Sequence, residues 1–592
     1  MPRTPRPPRR AARAGSFALL GALAAPLPVA AQVALTPPPA DEAAATLPEL
    51  TVTGTRAVRP IEQVPQTVQV IEREEIERQI ILSPSPSDAV SRLVPGYSPT
   101  NQTISGASEN FRGRDALVLV DGVPLNTPLR DVSRILALLD LNAVERIETV
   151  AGASSLYGAG ATGGTINIIT RRPTEGPPRF TLNTAIRAFP QNIGRSLSPE
   201  LSLGVTGRLQ SGFDYVVVGS LRHTGRTYDG RGRELPSDAL LGQGGADRTD
   251  SGNLFAKFGY DFDAARRFEV SATVIRLEQN PDFLTLYSPP RARPDFNSPY
   301  QGRSVREASQ SFSARYTDTG FALGALSVVG FVNDIEKRFN FSRFSFPYNS
   351  LVYYSGNPAS PTSPNNQTTL YSTRYGLNLT IDSPLDFLLS GARFTWGGDV
   401  IHERTRQELT SGEDVFTPLE QTTLAAFGLL QVPVGTRLTL RGGLRYEHFS
   451  LSVEDFRRAG LATAFACPVA RPNCLPAGAS VGYSAIAPEA QVVNSYELGV
   501  RHRGAGFNAG LVGFVSTSDQ GVTFDPLTNR ISQQEEVIWG AELNGDVAVT
   551  RRFTLAGLLA YREGRYDSDG DGRLDSFLPN NRIATPLRAV LS

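Results

Sequence analysis

Aromatic and arginine side chains concentrate in two long polar stretches, residues 281–303 and 338–354, which we treat as candidate binding loops. Aromatic faces stack on planar groups, and guanidinium groups pair with carboxylates through two hydrogen bonds. These loops therefore suit an anionic ligand that is catechol-like or rich in carboxylates. The alternative is that the aromatic residues form a girdle at a membrane interface, and the sequence leaves both interpretations open. The candidate ligand-binding residues are Arg291, Arg293, Tyr300, Arg343, Tyr348, Tyr353 and Tyr354.

No grouping of side chains in the sequence indicates an enzyme. The four histidines are scattered along the chain, and no nucleophile with a neighbouring base, phosphate-binding loop or pair of carboxylates stands out. Asp567, Asp569, Asp571 and Gly572 begin like a calcium loop, but the twelfth position is Leu578, where such loops have glutamate. We therefore expect no cofactor, and we interpret this run as an acidic loop tip at which weak calcium binding stays open.

The N-terminus has the parts of a secretory signal. Arginines precede an apolar stretch over residues 14–27, and small residues follow it. Cleavage is expected after Ala31, so residues 1–31 are the predicted signal peptide. No other run of about 18 residues is apolar enough to cross a bilayer as a helix. The mature chain is therefore expected in the periplasm, outside the cell or in the outer membrane.

Two cysteines, Cys467 and Cys474, lie in a long polar stretch with six residues between them. In an oxidising compartment we expect them to form a disulfide within a loop. A metal site is the alternative, but no histidine lies nearby.

The length of the chain would usually mean several soluble domains, and a large barrel is the exception to that rule. Single soluble cores stop growing at around 250–300 residues, whereas this chain has 592. Lys plus Arg and Asp plus Glu are each 58, so the zero net charge gives no argument for a nucleic-acid partner.

Beyond Arg171, runs of about ten residues alternate apolar with polar or small residues, as transmembrane strands do when one side faces lipid. Short and long connections also take turns along the chain, which an antiparallel barrel explains and a soluble sandwich does not. The predicted tight turns are 210–212, 262–266, 317–320, 433–435, 504–506 and 550–551. The predicted long loops are 225–251, 279–303, 337–367, 404–420, 450–491, 519–535 and 564–582.

A glycine-rich run over residues 145–170 precedes these strands, and the sequences FRGR (111–114) and VLVDGVPLN (118–126) lie upstream of it. Together these motifs closely resemble the plug domain of TonB-dependent outer-membrane receptors. The resemblance implies a mainly β fold, with an α+β plug over residues 60–173 inside an antiparallel barrel over 174–592. The plug-motif residues are Arg112, Gly113, Arg114, Asp121, Gly122, Glu145, Arg146, Glu148, Gly152, Tyr157, Gly158, Gly163, Gly164 and Asn167.

Residues 47–56 follow a flexible Pro- and Ala-rich arm and look like the TonB box of that family, within a predicted arm of residues 32–59. Such a segment adds as an extended strand to the edge of the periplasmic TonB protein, and backbone hydrogen bonds supply most of the grip. The predicted box residues are Leu47, Pro48, Glu49, Leu50, Thr51, Val52 and Thr53.

The resemblance also implies a function. A monomer in the outer membrane would bind a ferric siderophore outside and import it, using the proton gradient through TonB, ExbB and ExbD. Cobalamin, haem or an oligosaccharide are alternative cargoes. A passive porin or an adhesin with a vestigial plug is the alternative from a different class of protein.

Inside the plug, we predict a strand over 61–71, a helix over 72–79 and a second helix over 87–93 that Ser87 caps. Outer tips are expected at 101–109 and 126–131. A plug-to-wall charge network would use Arg112, Arg114, Glu145, Arg146 and Glu148, with an ordinary solvated strand edge as the alternative.

About 16 candidate strands are recognisable, whereas barrels that hold a plug have about 22. The family normally continues beyond Ser592 and usually has a further hairpin near residues 446–496. We therefore expect a barrel of the 22-stranded type that is incomplete at its C-terminus and has an internal loss, with a smaller even-stranded barrel as the alternative.

Overall fold

The computed structural model describes the chain from Leu50 to Leu591 with gaps. The longest gaps are 61–67, 101–108, 127–134, 237–247, 340–366, 458–479 and 482–490, and shorter ones cover one to four residues each. Among the described residues, no helix is both long enough and apolar enough to cross a membrane.

The N-terminal part of the described chain folds as a small mixed sheet with helices. The helices are α1 (Arg73–Leu82) and α2 (Pro86–Leu93), and a 3-10 helix covers Leu141–Ala143. The strands are β1 (Leu50–Thr51), β2 (Arg59–Pro60), β3 (Val68–Ile71), β4 (Ala116–Val120), β5 (Val123–Pro124), β6 (Val144–Ala151) and β7 (Gly164–Thr170). β1 pairs with β2, and the others form one sheet in the order β3-β6-β7-β4-β5. We call this sheet and its helices the plug.

Strand β7 lies at the centre of the plug sheet, between antiparallel β6 and parallel β4. Every residue of β7 is buried, which explains its run of isoleucines, since a strand covered on both faces has no solvent side. Ile166 and Ile168 belong to the plug core with Val118, Ile147 and Leu136. Each such side chain contributes about 1.5–3 kcal/mol when fully buried.

The first helix begins one residue later than predicted, after Glu72. The second begins at Pro86, whose fixed φ suits the first helical position, and its N-cap is Ser85. The predicted cap at Ser87 is therefore wrong: Ser87 lies inside the helix and donates a 2.9 Å hydrogen bond to Glu109. Of the strand predicted over 61–71, the described part begins at Val68.

Long antiparallel strands follow the plug and form what we call the wall. Before residue 340 its elements are β8 (Arg179–Arg187), α3 (Ile193–Ser196), β9 (Ser198–Arg208), β10 (Phe213–Thr224), β11 (Arg248–Asp261), β12 (Arg266–Asn280), β13 (Phe283–Ser288), β14 (Arg291–Pro299), β15 (Val305–Asp318) and β16 (Ala325–Arg338). Later strands are β17 (Thr368–Pro384), β18 (Arg393–Leu409), β19 (Asp414–Val434), β20 (Leu438–Val453), β21 (Phe456–Arg457), β22 (Ser480–Val481), β23 (Asn494–Gly504), β24 (Phe507–Asp525), β25 (Arg530–Thr550), β26 (Phe553–Tyr566), β27 (Ser576–Phe577) and β28 (Leu587–Leu591).

The wall strands pair with their neighbours in chain order, as an up-and-down meander requires. One sheet has 11 strands and joins β8–β12 to β15–β20, while β13 and β14 form a separate hairpin. A second sheet has six strands, β23–β26 with β27 and β28 both paired to β26. Within the described residues, no backbone ladder joins β20 to β23 or β28 to β8. The expected strand total of the 22-stranded type stays a prediction.

Side chains alternate between the two faces of the wall. On β12, Phe268, Val270 and Val274 point outward and are more than a third exposed, while Ile275 and Leu277 point toward the plug and are buried. Elsewhere Leu444 is 85% exposed. Such a row of exposed apolar side chains would be costly in water but suits contact with lipid chains.

The predicted tight turns lie where neighbouring wall strands meet, but three predicted long loops are wrong. Most of 279–303 is strand, because it contains the end of β12 and the hairpin of β13 and β14. β18 continues to Leu409 and β19 begins at Asp414, so most of 404–420 is strand. Likewise β24 continues to Asp525 and β25 begins at Arg530 within 519–535. In these stretches the residues are mostly polar, but the antiparallel pairing of the strands continues through them.

The plug lies within the wall, because side chains from both sheets reach it. Asn183 on β8 donates to Asn142, Arg374 on β17 donates to the Asn126 carbonyl, and Arg588 on β28 donates to the Tyr97 carbonyl. These three wall strands come from the beginning, middle and end of the meander. The expectation of a plug inside a lipid-facing wall is therefore confirmed.

Candidate functional site

The FRGR motif forms a tight turn that carries two arginines toward the wall. Phe111 and Arg114 exchange backbone hydrogen bonds, and Arg112 and Gly113 between them have φ of 52° and 77°. Two successive positive φ values are typical of a type I′ turn. A Cβ on Gly113 would lie 2.8 Å from Ile583, so glycine is required there for space as well as for conformation.

Arg112 makes buried ion pairs with two wall glutamates. Its guanidinium lies 2.7 Å from Glu542 on β25 and 2.7 Å from Glu497 on β23, and it stacks over the Phe514 ring at 4.2 Å. The side chains of Arg112 and Glu542 are each only 4% exposed. Arg114 pairs with Glu536 at 2.5 Å and donates to Ser516 at 2.8 Å.

Buried pairs of this kind hold a fixed geometry more than they add stability. Taking both charges out of water offsets much of their attraction, but removing one partner leaves an unpaired buried charge and costs about 3–5 kcal/mol. The Arg112 and Arg114 pairs therefore fix the position of the FRGR turn relative to strands β23–β25.

The structure places the other three residues of the predicted charge network, Glu145, Arg146 and Glu148, on strand β6 of the plug. Arg146 pairs with Glu148 at 2.7 Å, and both lie on strand β6 of the plug. Glu145 is half-buried at an irregularity in the pairing of β6 with β7. The network as a functional unit stays a prediction, and two of its residues, Arg112 and Arg114, contact the wall.

A second turn, between β4 and β5, anchors the plug to the first sheet of the wall. Asp121 and Gly122 have φ of 48° and 83°. Asp121 accepts hydrogen bonds from Thr170 and lies 3.1 Å from the Lys257 ammonium on β11, while Arg315 on β15 donates to its carbonyl. Burial by itself raises the pKa of the Asp121 carboxyl, but Lys257 and the Thr170 hydrogen bonds outweigh it and hold that pKa below its usual value.

The glycine-rich run packs closely against this framework. A Cβ on Gly163 would lie 2.2 Å from the Phe111 carbonyl oxygen, which no side chain can accommodate. Gly152, Gly158 and Gly164 have φ of 85°, 100° and 155°, where other residues are strained. Asn167 on β7 accepts from the Gly122 amide, so the run also holds the β4–β5 turn.

The N-terminal segment is tied to both the plug and the wall by Arg56. Its guanidinium donates to both carboxylate oxygens of Asp399 on β18, at 2.8 and 3.0 Å. It also lies between two aromatic rings, 4.6 Å from the centre of Tyr157 in the plug and 4.5 Å from Phe427 on β19. Asp399 accepts a further 2.6 Å hydrogen bond from Arg445 on β20.

Two further contacts fix the same segment. Arg59 pairs with Asp382 on β17 at 2.5 Å, and Arg441 on β20 donates to the Gly54 carbonyl. Leu50 and Thr51 pair with Pro60 and Arg59 as a short antiparallel ladder. We call residues 54–59 with these contacts the latch. The other predicted box residues, Leu47, Pro48, Glu49, Val52 and Thr53, lie outside the described residues.

Among the described residues, the non-glycine positions with positive φ are Arg56, Arg112 and Asp121. Each belongs to a group that contacts the wall: the latch, the FRGR turn or the β4–β5 turn. A residue held in this region costs on the order of 1–3 kcal/mol and persists only where its surroundings determine it. Backbone strain thus coincides with the anchors of the plug.

The candidate ligand-binding residues are only partly described. Arg291 and Arg293 lie on β14 of the β13–β14 hairpin, and Arg293 is exposed. Tyr300 donates to the Arg303 carbonyl and accepts from Gln367, so it also stabilises the base of the loops. The remaining candidates, and the predicted disulfide, lie outside the described residues: Arg343, Tyr348, Tyr353, Tyr354, Cys467 and Cys474.

The acidic tip is a closed turn. Carboxylate oxygens of Asp567, Asp569 and Asp571 lie within 4.8 Å of one another. Asp567 accepts backbone hydrogen bonds from residues 569–572, and the one from Gly572 is the main reason that the pKa of Asp567 is lowered.

Sequence reasoning missed the wall partners of the plug. Glu497, Glu536 and Glu542 lie on strands whose outward-facing side chains are apolar. Asp382 and Asp399 lie on β17 and β18, which also have apolar side chains facing outward. A charged residue within a membrane-spanning element is rare without a functional role. Charged residues at inward-facing positions, on strands that otherwise alternate apolar with polar residues, could have indicated these wall partners.

Comparison with known proteins places these features in a family. Residues 60–165 match the model of the TonB-dependent receptor plug domain, and residues 267–591 match that of the TonB-dependent receptor-like β-barrel. A ferric aerobactin receptor from Klebsiella pneumoniae is 27% identical over 68% of this chain and 56% of its own length. A rhizobactin receptor from Rhizobium meliloti is 27% identical over 72% of this chain and 58% of its own length.

A solved ferric enterobactin receptor from Pseudomonas aeruginosa superposes with a TM-score of 0.61 at 16% identity, covering 88% of this chain and 86% of the other. At that identity the likeness shows the fold. The chain spans less than two thirds of the length of the curated relatives that it matches.

Proposed function

The chain belongs to the TonB-dependent receptor family, and from that premise we propose that it imports a ferric siderophore or a similar scarce metal chelate across the outer membrane. In this proposal, residues 32–59 form the arm, 60–173 the plug and 174–592 the barrel. The periplasmic TonB protein, with ExbB and ExbD, pulls on residues 47–56. The chain acts as a transporter and not as an enzyme.

The observation that carries the proposal is the position of Arg56. It is the last residue of the segment 47–56, and it contacts the plug through Tyr157 and the wall through Asp399 and Phe427. A tension applied at Leu47 to Thr53 therefore reaches Arg56 before any strand of the plug. No such arrangement is needed in a passive pore.

The contacts suggest an order of events under tension. The latch is the first contact, and its loss frees Asp399 to pair with Arg445 alone. Arg445 also donates to the Leu156 carbonyl beside Tyr157, so movement of the latch disturbs the glycine-rich run. The buried pairs of Arg112 and Arg114 lie further along the chain and would be the last to separate.

The proposed identity of the cargo is based on the relatives and on the residues of the candidate binding loops. Proteins named as receptors for ferric aerobactin and for rhizobactin match 68% and 72% of this chain. Exposed arginine at Arg293 and the aromatic residues of the same stretch suit an anionic iron chelate. A siderophore with carboxylate or catechol groups fits both the relatives and these loop residues.

Uptake of radioactive iron from single ferric chelates tests this proposal. Iron-starved cells whose own siderophore receptors are deleted should gain uptake of at least one chelate when they make this chain, and ferric aerobactin is the first probe. Collapse of the proton gradient should stop that uptake without removing chelate from the cell surface. Uptake of none of the chelates, or uptake that ignores the gradient, contradicts the proposal.

The latch makes a separate prediction. Arg56→Ala removes a doubly hydrogen-bonded ion pair and two ring contacts, so β1 should become accessible to the periplasm more often. A Leu50→Cys reporter should react with a thiol reagent at least roughly tenfold faster in this variant. Arg78→Ala is the matched control, since Arg78 is 71% exposed in a surface pair with Glu75. Equal labelling rates in the two variants would show that Arg56 does not hold the segment.

A further inference from the structure

A segment from the loop between β26 and β28 turns back toward the plug. We call its described residues, Leu578, Pro579, Arg582 and Ile583, the strap. The Leu578 amide donates to the Gly564 carbonyl at 2.9 Å, and the Ile583 amide donates to the Pro579 carbonyl at 3.1 Å. Leu578 and Ile583 are buried in one cluster with Phe514 and Ile538 of the wall. The strap is therefore a packed element, although it belongs to a stretch predicted as an outer loop.

The strap contacts the plug at the FRGR turn. Arg582 donates a 2.6 Å hydrogen bond from Nε to the Gly113 carbonyl. Ile583 lies beside the same glycine, where an added Cβ would come within 2.8 Å of its side chain. The turn that anchors the plug to the wall is thus also held from the loop end of the wall.

Arg582 shares a carboxylate with the plug anchor. Its Nη2 lies 3.0 Å from Glu536 Oε1, and Arg114 Nη1 lies 2.5 Å from the same oxygen. The Glu536 side chain is 1% exposed, and among the described residues its Oε2 has no hydrogen-bond partner. Without Arg582, one buried glutamate would lose a cation and the Gly113 carbonyl would lose its donor, which weakens the anchor.

The rest of this loop is largely exposed to solvent. Asp569, Asp571 and Arg573 are exposed, and β27 is a two-residue strand in which Phe577 is 63% exposed. Segments with exposed hydrogen bonds and little burial open at low free energy. A ligand that moves the loop would therefore move the strap before it moves the wall.

We propose that Arg582 is a positioning residue that transmits the state of this outer loop to the plug. With the strap in place, Arg582 fixes the FRGR turn; when the loop lifts, Glu536 loses one of its two arginines and the anchor loosens. The transport consequence of this inference rests on the proposed function, but the contact itself does not. The latch and the strap then hold the plug through different strands of the wall.

Hydrogen exchange in the full chain, embedded in vesicles without cargo or partner, tests the contact. Arg582→Ala should speed exchange of the amides of residues 111–114 by about tenfold or more. Arg573→Ala is the matched control, because it removes the same charge from an exposed place in the same loop and should change nothing. Arg582→Lys should be intermediate, since one ammonium cannot reproduce the forked contact with Gly113 and Glu536.

Equal exchange in Arg582→Ala and Arg573→Ala overturns the proposal. An equal acceleration in β24 and in the FRGR turn also overturns it, because the residue would then only support the fold.

A disulfide tether tests transmission. Leu578→Cys with Gly564→Cys joins two residues whose backbones are already hydrogen-bonded, and it should hold the strap in place. Under oxidising conditions the tether should stop chelate uptake, and reduction should restore it. Normal uptake with the tether closed overturns the proposal. If no chelate is taken up by the unaltered chain, the proposed function fails, and the exchange measurement still decides the contact.

Discussion

Deletion of residues 47–52 is expected to abolish chelate uptake, by at least about a hundredfold, while binding of chelate at the cell surface persists. Strand addition to a partner depends on a continuous run of backbone hydrogen bonds, so a missing segment cannot be replaced by its neighbours. Uptake of radioactive iron and surface-bound iron are measured in the same cells, with and without a chase.

The matched control is deletion of residues 34–39, which removes the same length from the Pro-rich arm. This variant should import normally, because the arm serves only as a tether. If the deletion of 47–52 imports like the control, the segment before Arg56 is not the point at which energy enters.

Replacement of Arg112 by alanine is expected to destabilise the plug by about 3–5 kcal/mol, because Glu542 stays buried without its closest cation. Hydrogen exchange at β4 (Ala116–Val120) and β7 (Gly164–Thr170) should rise by a factor on the order of a hundred or more. Arg112→Lys should recover only part of the loss, since one ammonium cannot serve Glu497 and Glu542 with the same geometry.

Arg208→Ala is the control for this second variant. Arg208 pairs with Asp261 at a turn of the wall, where its side chain is 37% exposed. A pair of this kind contributes about 0–1 kcal/mol, so exchange in the plug should be unchanged. Similar exchange in the two variants would mean that the buried pairs do not anchor the plug.

Some features of this fold could be predicted from the sequence because residues close together in the chain determine them. Gly113, Gly122 and Gly163 stand where a Cβ would be strained or would collide, so the plug motifs carry their own geometry. The alternation on β12 follows from one face in lipid and one face toward the plug. The plug sheet and the order of the wall strands could be predicted on these grounds.

Contacts between distant parts of the chain were not predictable in this way. Arg112 and Glu542 are 430 residues apart, and nothing near either residue specifies the other. The strap depends on the return of a loop toward the plug, which its polar sequence does not indicate. Strand ends were misplaced at β18 and β24 because the apolar pattern reports contact with lipid and not the length of the ladder.

Single-molecule pulling on Leu47, with the chain held in a bilayer, tests the central claim most directly. If the latch and the buried pairs hold a separable plug, the latch ruptures first, and the stretch 60–170 then extends by roughly 370–400 Å before any wall strand leaves the membrane. Arg56→Ala should remove the first rupture, and Arg112→Ala should lower the force of the second. Extraction of β8 before the plug extends would contradict the account.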